Sequence, residues 1–423
     1  SSLSLLITTM VPDFYQKITS IIRSNKSLLL ILILATLLRI INLSHPAAYI
    51  FDEVYHGFTA REYLHSRVEA WEWWTKPPEG VAYEWTHPPV AKYGMVLGML
   101  FLGGEGELGY RIGSAVMGVL GILGLYLFVS SLTNNKNLAL LTAFLMTIEG
   151  THIAQSRIAM NDSYMLTFYI WSLYAAVKSR WKMVAILYGL ALGSKWSAPY
   201  GSLPLALLYS YNNSFFSKQN LRHYIKHLIF AIRYILIATA VYILTFAPFI
   251  LAGHTWAQWW ELHRQMWYYH TTLVATHDYQ SAPLQWIFGA RPVWYWVQYG
   301  EGVISNIYVH ANPLTLWLGL VALILQVSLI RRFPYLLLYT LYFILFIPWV
   351  ISPRIMFYYH YLPSAVFLLP ILASWLLALP KKIMYLSLFT LTLSLLFVSP
   401  MLYGYPLPTE YWDTLFKIFP TWK

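Results

Sequence analysis

Long apolar runs recur along this chain, and they limit its fold more than any single motif does. A hydrocarbon core of about 30 Å takes roughly 17–25 residues of helix to cross. Runs of this kind lie near residues 27–45, 108–131, 137–155, 162–179, 183–196, 197–211, 228–251, 313–330, 334–351, 361–379 and 383–402. The fifth and sixth are the shortest, and the boundary between them is the least marked. Only 11% of the residues are charged and 58% are hydrophobic, whereas a water-soluble domain is about a quarter charged. In lipid the backbone must satisfy its own hydrogen bonds, so a span is a helix or part of a closed barrel. Runs of this length read as helices. The pattern predicts an all-α polytopic membrane protein of about eleven transmembrane helices, a single embedded domain over 1–423 with no separate soluble domain.

The stretch 90–102 (VAKYGMVLGMLFL) is also apolar, but it reads differently. Thirteen residues of helix reach only about 20 Å. The stretch follows Pro88-Pro89, contains Lys92 and ends at Gly103-Gly104, which suits a helix lying in the interface plane. If it does not cross and the N-terminus is cytoplasmic, the inner segments are 1–26, 132–136, 180–182, 212–227, 331–333 and 380–382. With Lys178 and Arg233 at helix ends, these hold 15 of the 28 Lys and Arg and one acid, Asp13. The other 16 of 17 acids face outward. Counting 90–102 as a span would put Lys178, Arg180 and Lys182 outside, against the positive-inside rule. The net charge of +11 is therefore a topology signal. Its basic runs are short and split on the inner face, so no nucleic acid partner is expected.

Two large outer loops follow, 46–107 and 252–312. Both are rich in tryptophan (Trp71, Trp73, Trp74 and Trp85; Trp256, Trp259, Trp260, Trp267, Trp286, Trp294 and Trp296). Such side chains sit at headgroup depth, so these loops are expected to lie on the membrane and cover any site formed there. The first ten residues carry no basic n-region and no A-x-A site, so no cleaved signal peptide is expected, and Met10 is a candidate start. The absence of cysteine excludes disulfides, thiolate metal sites and cysteine nucleophiles.

This topology brings four polar clusters to the outer face: Phe51 to His56, Thr86 to Pro89, Ser156 to Asp162, and Ser352 through Pro363. Lys195 ends the fifth run on the same side, and His277-Asp278 and Arg291 fall in the second loop. Ionisable groups at membrane depth are costly, so they tend to face a cavity and mark a functional site. Carboxylates converging with Arg, Lys and His suggest an acid/base group beside an anion site, and a lipid phosphate is the natural anion there. Plainer readings stand beside this one. Asp52 and Glu53 could be solvated loop carboxylates, Arg157 and Asp162 a structural ion pair, and His360 an ordinary hydrogen-bonded histidine. Lys195 could snorkel from its helix end. No phosphate-loop or H-E-x-x-H motif is present, and His254, His263, His270 and His277 lack ligand spacing.

At FDEVYHGFTAREYL (51–64) and THPPVAKY (86–93) the chain resembles the protein O-mannosyltransferase family of the glycosyltransferase C-fold superfamily. The likeness runs on through GYRIGSAVMGVLG (109–121), QSRIAMNDSYM (155–165), LGSKWSAPY (192–200), HDYQS (277–281), ARPVWYW (290–296) and RIMFYYHYLPS (354–364). It thus covers most of 38–370 in order. Eukaryotic members carry a β-trefoil domain in the loop matching 252–312. Here that loop is too short, so the resemblance is to the bacterial and archaeal branch, in a prokaryotic plasma membrane with the site facing out.

The resemblance implies inverting transfer of mannose from a polyprenyl-phosphate sugar donor to Ser or Thr hydroxyls of an exported protein. Asp52 is implied as general base, with Glu53 as the second acid positioning sugar or partner groups. His87, Arg291, Arg354, His360 and Tyr361, with Lys195, are implied at the donor phosphate. Arg157, Asp162 and Arg111 would shape the site. No cofactor is implied, and a divalent metal among Asp52, Glu53 and Asp162 is not favoured. Two other readings stay open: a lipid or glycolipid acceptor of the lipid A type, since function follows the acceptor groove and not the fold, and a transporter. The transporter is disfavoured because its sites would lie near the midplane.

The topology is directly testable in a chain without native cysteine. A cysteine replacing Ser66 should react with an impermeant maleimide on intact cells, and one replacing Lys182 should not. The reverse labelling pattern would overturn the span assignment and, with it, the grouping of the four polar clusters.

Overall fold

The computed structural model describes residues 19–213, 215 and 221–423. Met10, Asp13 and Lys218 lie outside the described residues. Every apolar run forms helix: Lys26–Ile40, Glu107–Thr133, Lys136–Thr147 with Gly150–Ser156, Asn161–Val177, Trp181–Leu192, Ser202–Asn212, Leu221–Leu244, Pro313–Leu325, Phe333–Val350, Leu362–Ala365 with Leu368–Ala378, and Lys381–Tyr403. Local capping begins several of them. The Asn25 side chain accepts from Leu28 N (3.1 Å), and Asn135 from Leu138 N (3.0 Å), each satisfying an amide that a helix start leaves without a partner.

Four helices are long and apolar enough to cross a membrane by length and composition, and six cross if each of two bent pairs is a single span. A polytopic membrane fold follows, while the full count of eleven rests on the charge argument. Lys136–Thr147 and Gly150–Ser156 bend by 63°, and Tyr358–Ala365 and Leu368–Ala378 by 54°. At the first bend Gly150 admits the His310 backbone, since a Cβ there would lie 2.3 Å from the His310 carbonyl oxygen. The first pair ends at Ser156 and the second begins at Tyr358, both in the polar clusters. Long side chains of Leu221–Leu244 point away from the body, with only Ala238 buried, as a lipid-facing helix requires.

The stretch 90–102 is helical, Val90–Gly98 extended to Gly103 by a wider turn. It packs on Glu107–Thr133 and on the helix His56–Leu64. Main-core side chains come chiefly from Glu107–Thr133, Lys136–Thr147, Asn161–Val177, Phe333–Val350 and Leu368–Ala378.

The all-α expectation needs one correction. The second outer loop folds into antiparallel strands β1 (Val293–Gly300) and β2 (Val303–Val309), with β3 (Leu407–Pro408) added at the far edge of β2. Gly302, at φ +68°, turns the hairpin, a backbone region glycine enters without penalty. The segment VWYWVQYG reads as interfacial aromatics because its outward side chains are Trp as often as polar residues, which blurs strand alternation. Its register shifts between Trp294 and Trp296. This bulge leaves Tyr295 unpaired in the ladder and buried, where its hydroxyl accepts from Gln155 Nε2 (2.6 Å). Bulges commonly re-aim a side chain in this way.

Candidate active site

Assembly of the site begins with a buried ion pair. Arg111 Nε donates to Glu53 Oε1 (2.8 Å) and Nη2 to Oε2 (2.7 Å). Its remaining N–H groups donate to the carbonyls of Leu43 (3.1 Å), Pro46 (3.0 Å) and Ala48 (2.8 Å). Glu53 also accepts from the backbone of Ile50 (3.0 Å) and Ala159 (2.9 Å). All five guanidinium donors are thus used by protein, and both side chains are essentially inaccessible. Of the two expected partners of Glu53, sugar or protein groups, the contacts are with protein groups: its carboxylate is taken up in tying the first outer loop to two helices.

That anchoring aims Asp52 the other way. Phe51 sits at φ +47°, an unusual region for a bulky residue. It is held there by stacking on Tyr295 (centroids 4.2 Å apart) and by edge contacts with Phe357 and Tyr359. Strain of this type persists where the surroundings over-determine it, and it clusters at functional sites. The Asp52 carboxylate has no hydrogen bond or ion pair among the described residues. Burial raises its carboxyl above the ordinary value, with His56 and Lys195 pulling down and Glu84 and Asp162 pushing up.

A cavity of about 330 Å³ is lined by His87, Lys195, Trp196, His270, Arg354 and His360, among others, and its Lys195 is near enough to Asp52 to pull that carboxyl down. No carboxylate is among its lining residues. Asp162 stands behind it and grips the Lys195 ammonium through both oxygens (2.9 Å each), while the ammonium lies 5.4 Å over the Tyr359 ring. Lys195 therefore does not snorkel to solvent. The guanidinium of Arg354 meets His270 Nδ1, and His270 Nε2 meets the Thr86 carbonyl (2.8 Å). Burial and the neighbouring Arg354 push His270 down to about 4. His360 turns Nδ1 to the Phe357 carbonyl (3.0 Å) and packs against Trp349. Ring and ammonium donors without a lining acid suit an anion, and low polarity strengthens each contact.

Three expected site residues lie elsewhere. Arg291 donates to the carbonyls of Thr421 (3.0 Å), Lys423 (2.9 Å) and Asp278 (2.5 Å), and it lines a different cleft with His277 and Gln285. Tyr361 is buried in the core, with its hydroxyl 2.8 Å from that of Tyr342. Arg157 does not pair with Asp162; it donates to the carbonyls of Arg39 (3.1 Å) and Ile41 (2.8 Å) at the end of the first helix and lies over Tyr403 (4.3 Å). Positive charge is favoured at a helix C-terminus. Two residues were missed. Glu84 binds His87, Lys92 and Thr86; its place three residues before His87 was the available signal. His270 follows His263 by seven residues on Trp256–Thr272, the spacing of one helix face. Among the described residues no group of three His, Asp or Glu could hold a metal ion.

The arrangement of this helical body is that of the glycosyltransferase C-type fold, a likeness of fold. Within that class, the chain belongs to the dolichyl-phosphate-mannose-protein mannosyltransferase family, whose model matches residues 29–252. A second model, the C-terminal four TMM region of protein-O-mannosyltransferase, matches 255–333. Dolichyl-phosphate-mannose–protein mannosyltransferase 1 of Candida albicans is 27% identical over 223 residues, 46% of this chain and 24% of the relative. Its Saccharomyces cerevisiae counterpart is 28% identical over 185 residues, 36% of this chain and 22% of the relative. The matched stretch therefore spans about a quarter of these curated relatives.

Among solved structures, the S. cerevisiae Pmt1-Pmt2 complex bound to the sugar donor is similar with TM-score 0.74 at 14% identity, over 98% of this chain and 94% of that one. ArnT from Cupriavidus metallidurans bound to undecaprenyl phosphate gives 0.58 at 14% identity, over 86% and 62%. Both likenesses concern the fold.

The reading of Glu53 as an anchor has a measurable consequence. Glu53→Gln leaves Arg111 buried without its counter-charge, a change that costs about 3–5 kcal/mol in proteins. The purified variant should melt well below wild type in a thermal-shift assay. A wild-type melting temperature would return Glu53 to the list of groups free to act on substrate.

Proposed function

We propose that this chain transfers mannose from a polyprenyl-phosphate carrier to Ser or Thr hydroxyls of exported proteins, with inversion at the sugar carbon. The site would lie on the outer face of a prokaryotic plasma membrane, in an eleven-span body with a cytoplasmic N-terminus. One observation carries the reading: an unpaired, half-buried Asp52 carboxylate beside an acid-free cavity lined by Lys195, Arg354, His87, His270 and His360.

In this mechanism Asp52 takes the proton of the acceptor hydroxyl as its oxygen bonds to the sugar carbon. The bond from that carbon to the phosphate oxygen breaks, and polyprenyl phosphate leaves with the electron pair. Single displacement needs one base and no covalent nucleophile. Negative charge grows on the departing phosphate, and fixed cations aimed at it stabilise the transition state more than the ground state. The ammonium of Lys195 is already oriented by Asp162, so it need not reorganise as the charge develops.

Asp52→Asn keeps the side chain's shape and removes its basicity. Donor binding should survive, while single-turnover transfer to a Ser/Thr peptide falls by about 10² to 10⁴. In the wild type only the ionised form acts, and burial raises the Asp52 carboxyl above its ordinary value. Turnover should therefore rise with pH along an acid limb above the usual carboxylate range, and Asp52→Asn should lack that limb. Transfer within a few-fold of wild type would remove Asp52 from the chemistry.

The cavity makes a separate claim about binding. Arg354→Ala should weaken polyprenyl-phosphate binding by about tenfold or more, the loss of one charge-assisted contact. Arg291→Ala should leave it within a few-fold, since its guanidinium is held by backbone carbonyls. Equal losses in the two variants would mean that the phosphate lies nearer the second cleft.

A further inference from the structure

Glu84 is an almost inaccessible carboxylate that the mechanism above does not use. Its Oε1 meets His87 Nδ1 (3.0 Å) and the Thr86 hydroxyl. Its Oε2 takes the Lys92 ammonium and lies 3.4 Å from His56 Nδ1. Lys92 also donates to the His87 carbonyl (3.1 Å), and the Glu84 amide donates to Thr59 Oγ1 (2.7 Å). Burial alone would favour a neutral acid, but Lys92, His87 with its hydrogen bond, and the nearby His56 hold the carboxyl well below its ordinary value. An ionised carboxylate on Nδ1 fixes the proton there. Nε2 is then the His87 atom left to meet a ligand in the cavity, the usual consequence of anchoring one imidazole nitrogen.

We propose that Glu84 is a positioning residue that fixes His87 with Nε2 toward the cavity, so that binding the phosphate of the donor draws a proton onto that nitrogen. The inference rests on the functional reading above and assigns a proton to its binding step. His87 faces Glu84 and Lys92 from its own segment and the following helix. It faces His56 (rings 5.8 Å apart), His270 (5.1 Å), Lys195, Arg354 and His360 from the other elements. Asp52 and Asp162 are the carboxylates beyond them.

Burial, with His270 and Lys195 adding to it and Glu84 opposing, holds the ring well below its ordinary value. An entering phosphate places negative charge on the Nε2 side while Glu84 already holds it on the Nδ1 side, and imidazolium between two anions is favoured. The proton comes from solvent. The donor is a phosphodiester whose own charge does not change in the range where histidine titrates, so a pH effect on its binding reports the protein. The sign follows: uptake of a proton on binding makes affinity highest at low pH and lowers it as pH rises through the value in the complex.

The test is calorimetric titration of the full chain in detergent with polyprenyl-phosphate mannose, between about pH 5.5 and 8.5, where histidine charge changes, in buffers of differing ionisation heat. Wild type should take up a proton on binding, with affinity falling by up to about tenfold per pH unit in the steepest part. Glu84→Gln should bind about tenfold more weakly at the acid end, having lost one charge-assisted hydrogen bond, and its profile should be flat. Glu84→Asp should keep the slope, which a merely structural carboxylate would not explain. His87→Gln leaves the Glu84–Lys92 pair in place and serves if Glu84→Gln does not fold; it too should flatten the profile. Either folded variant retaining the wild-type slope overturns the proposal alone. A wild type that binds no donor at any pH overturns the transferase reading and this inference together.

Discussion

Three separate stretches of chain meet at the Glu53–Arg111 pair. The carboxylate holds the turn after the first helix, the guanidinium holds the carbonyls of Leu43, Pro46 and Ala48, and the Ala159 amide brings in the turn before Asn161–Val177. Such a pair is not a free source of stability, because desolvating both charges offsets much of their attraction. Its effect is geometric. Every lone pair and N–H is committed, so the segment 43–54 has one way to lie, and the adjacent Asp52 has no hydrogen bond or ion pair among the described residues.

A second buried pair works in the same manner from the opposite wall. Asp162 starts its helix and holds Lys195, which sits in the turn after Trp181–Leu192. The Glu84–Lys92 pair secures the third wall. Each pair retires one acid from the cavity surface, and in the Asp162 case leaves a cation presented to it. The result is a compartment whose charged and titratable lining is Lys195, Arg354 and three histidines, with Asp52 nearby and without an ion pair among the described residues. Charge is distributed between structure and chemistry by pairing, in a place where an unpaired group is expensive.

The aromatic content of the outer loops serves a further purpose than membrane anchoring. Tyr295, at the strand bulge, stacks on Phe51 and keeps its backbone in the left-handed region. Phe357 and Tyr359 close the same ring contact from the turn that carries His360. Sheet, first outer loop and last polar cluster are therefore joined beside the base by side chains and not by backbone pairing.

Much of this was legible in the residues. The apolar runs fold as helices, because a bilayer imposes one length on every span. His87, Lys195, Arg354 and His360, each in a short motif at the end of a run, line one cavity. What the residues could not tell was which charged group faces which. Glu53 and Asp52 are adjacent, yet one is consumed by Arg111 and the other left without a partner. Arg157 and Arg291 carry the same charge as Arg354, yet their donors end on carbonyls of Arg39 and Ile41, and of Thr421 and Lys423. His270 becomes a neighbour of His87 only when a distant loop closes over it, whereas Glu84 stands three residues before it and shows its role only through the contacts it makes. Local composition and period set the number of apolar runs, the uneven spread of charge between them and the kinds of group available. Pairing waits on the folded chain, because a hydrogen bond or an ion pair depends on a few ångströms between groups far apart in sequence, 184 residues for His270 and Thr86 and 365 for Tyr403 and Leu38.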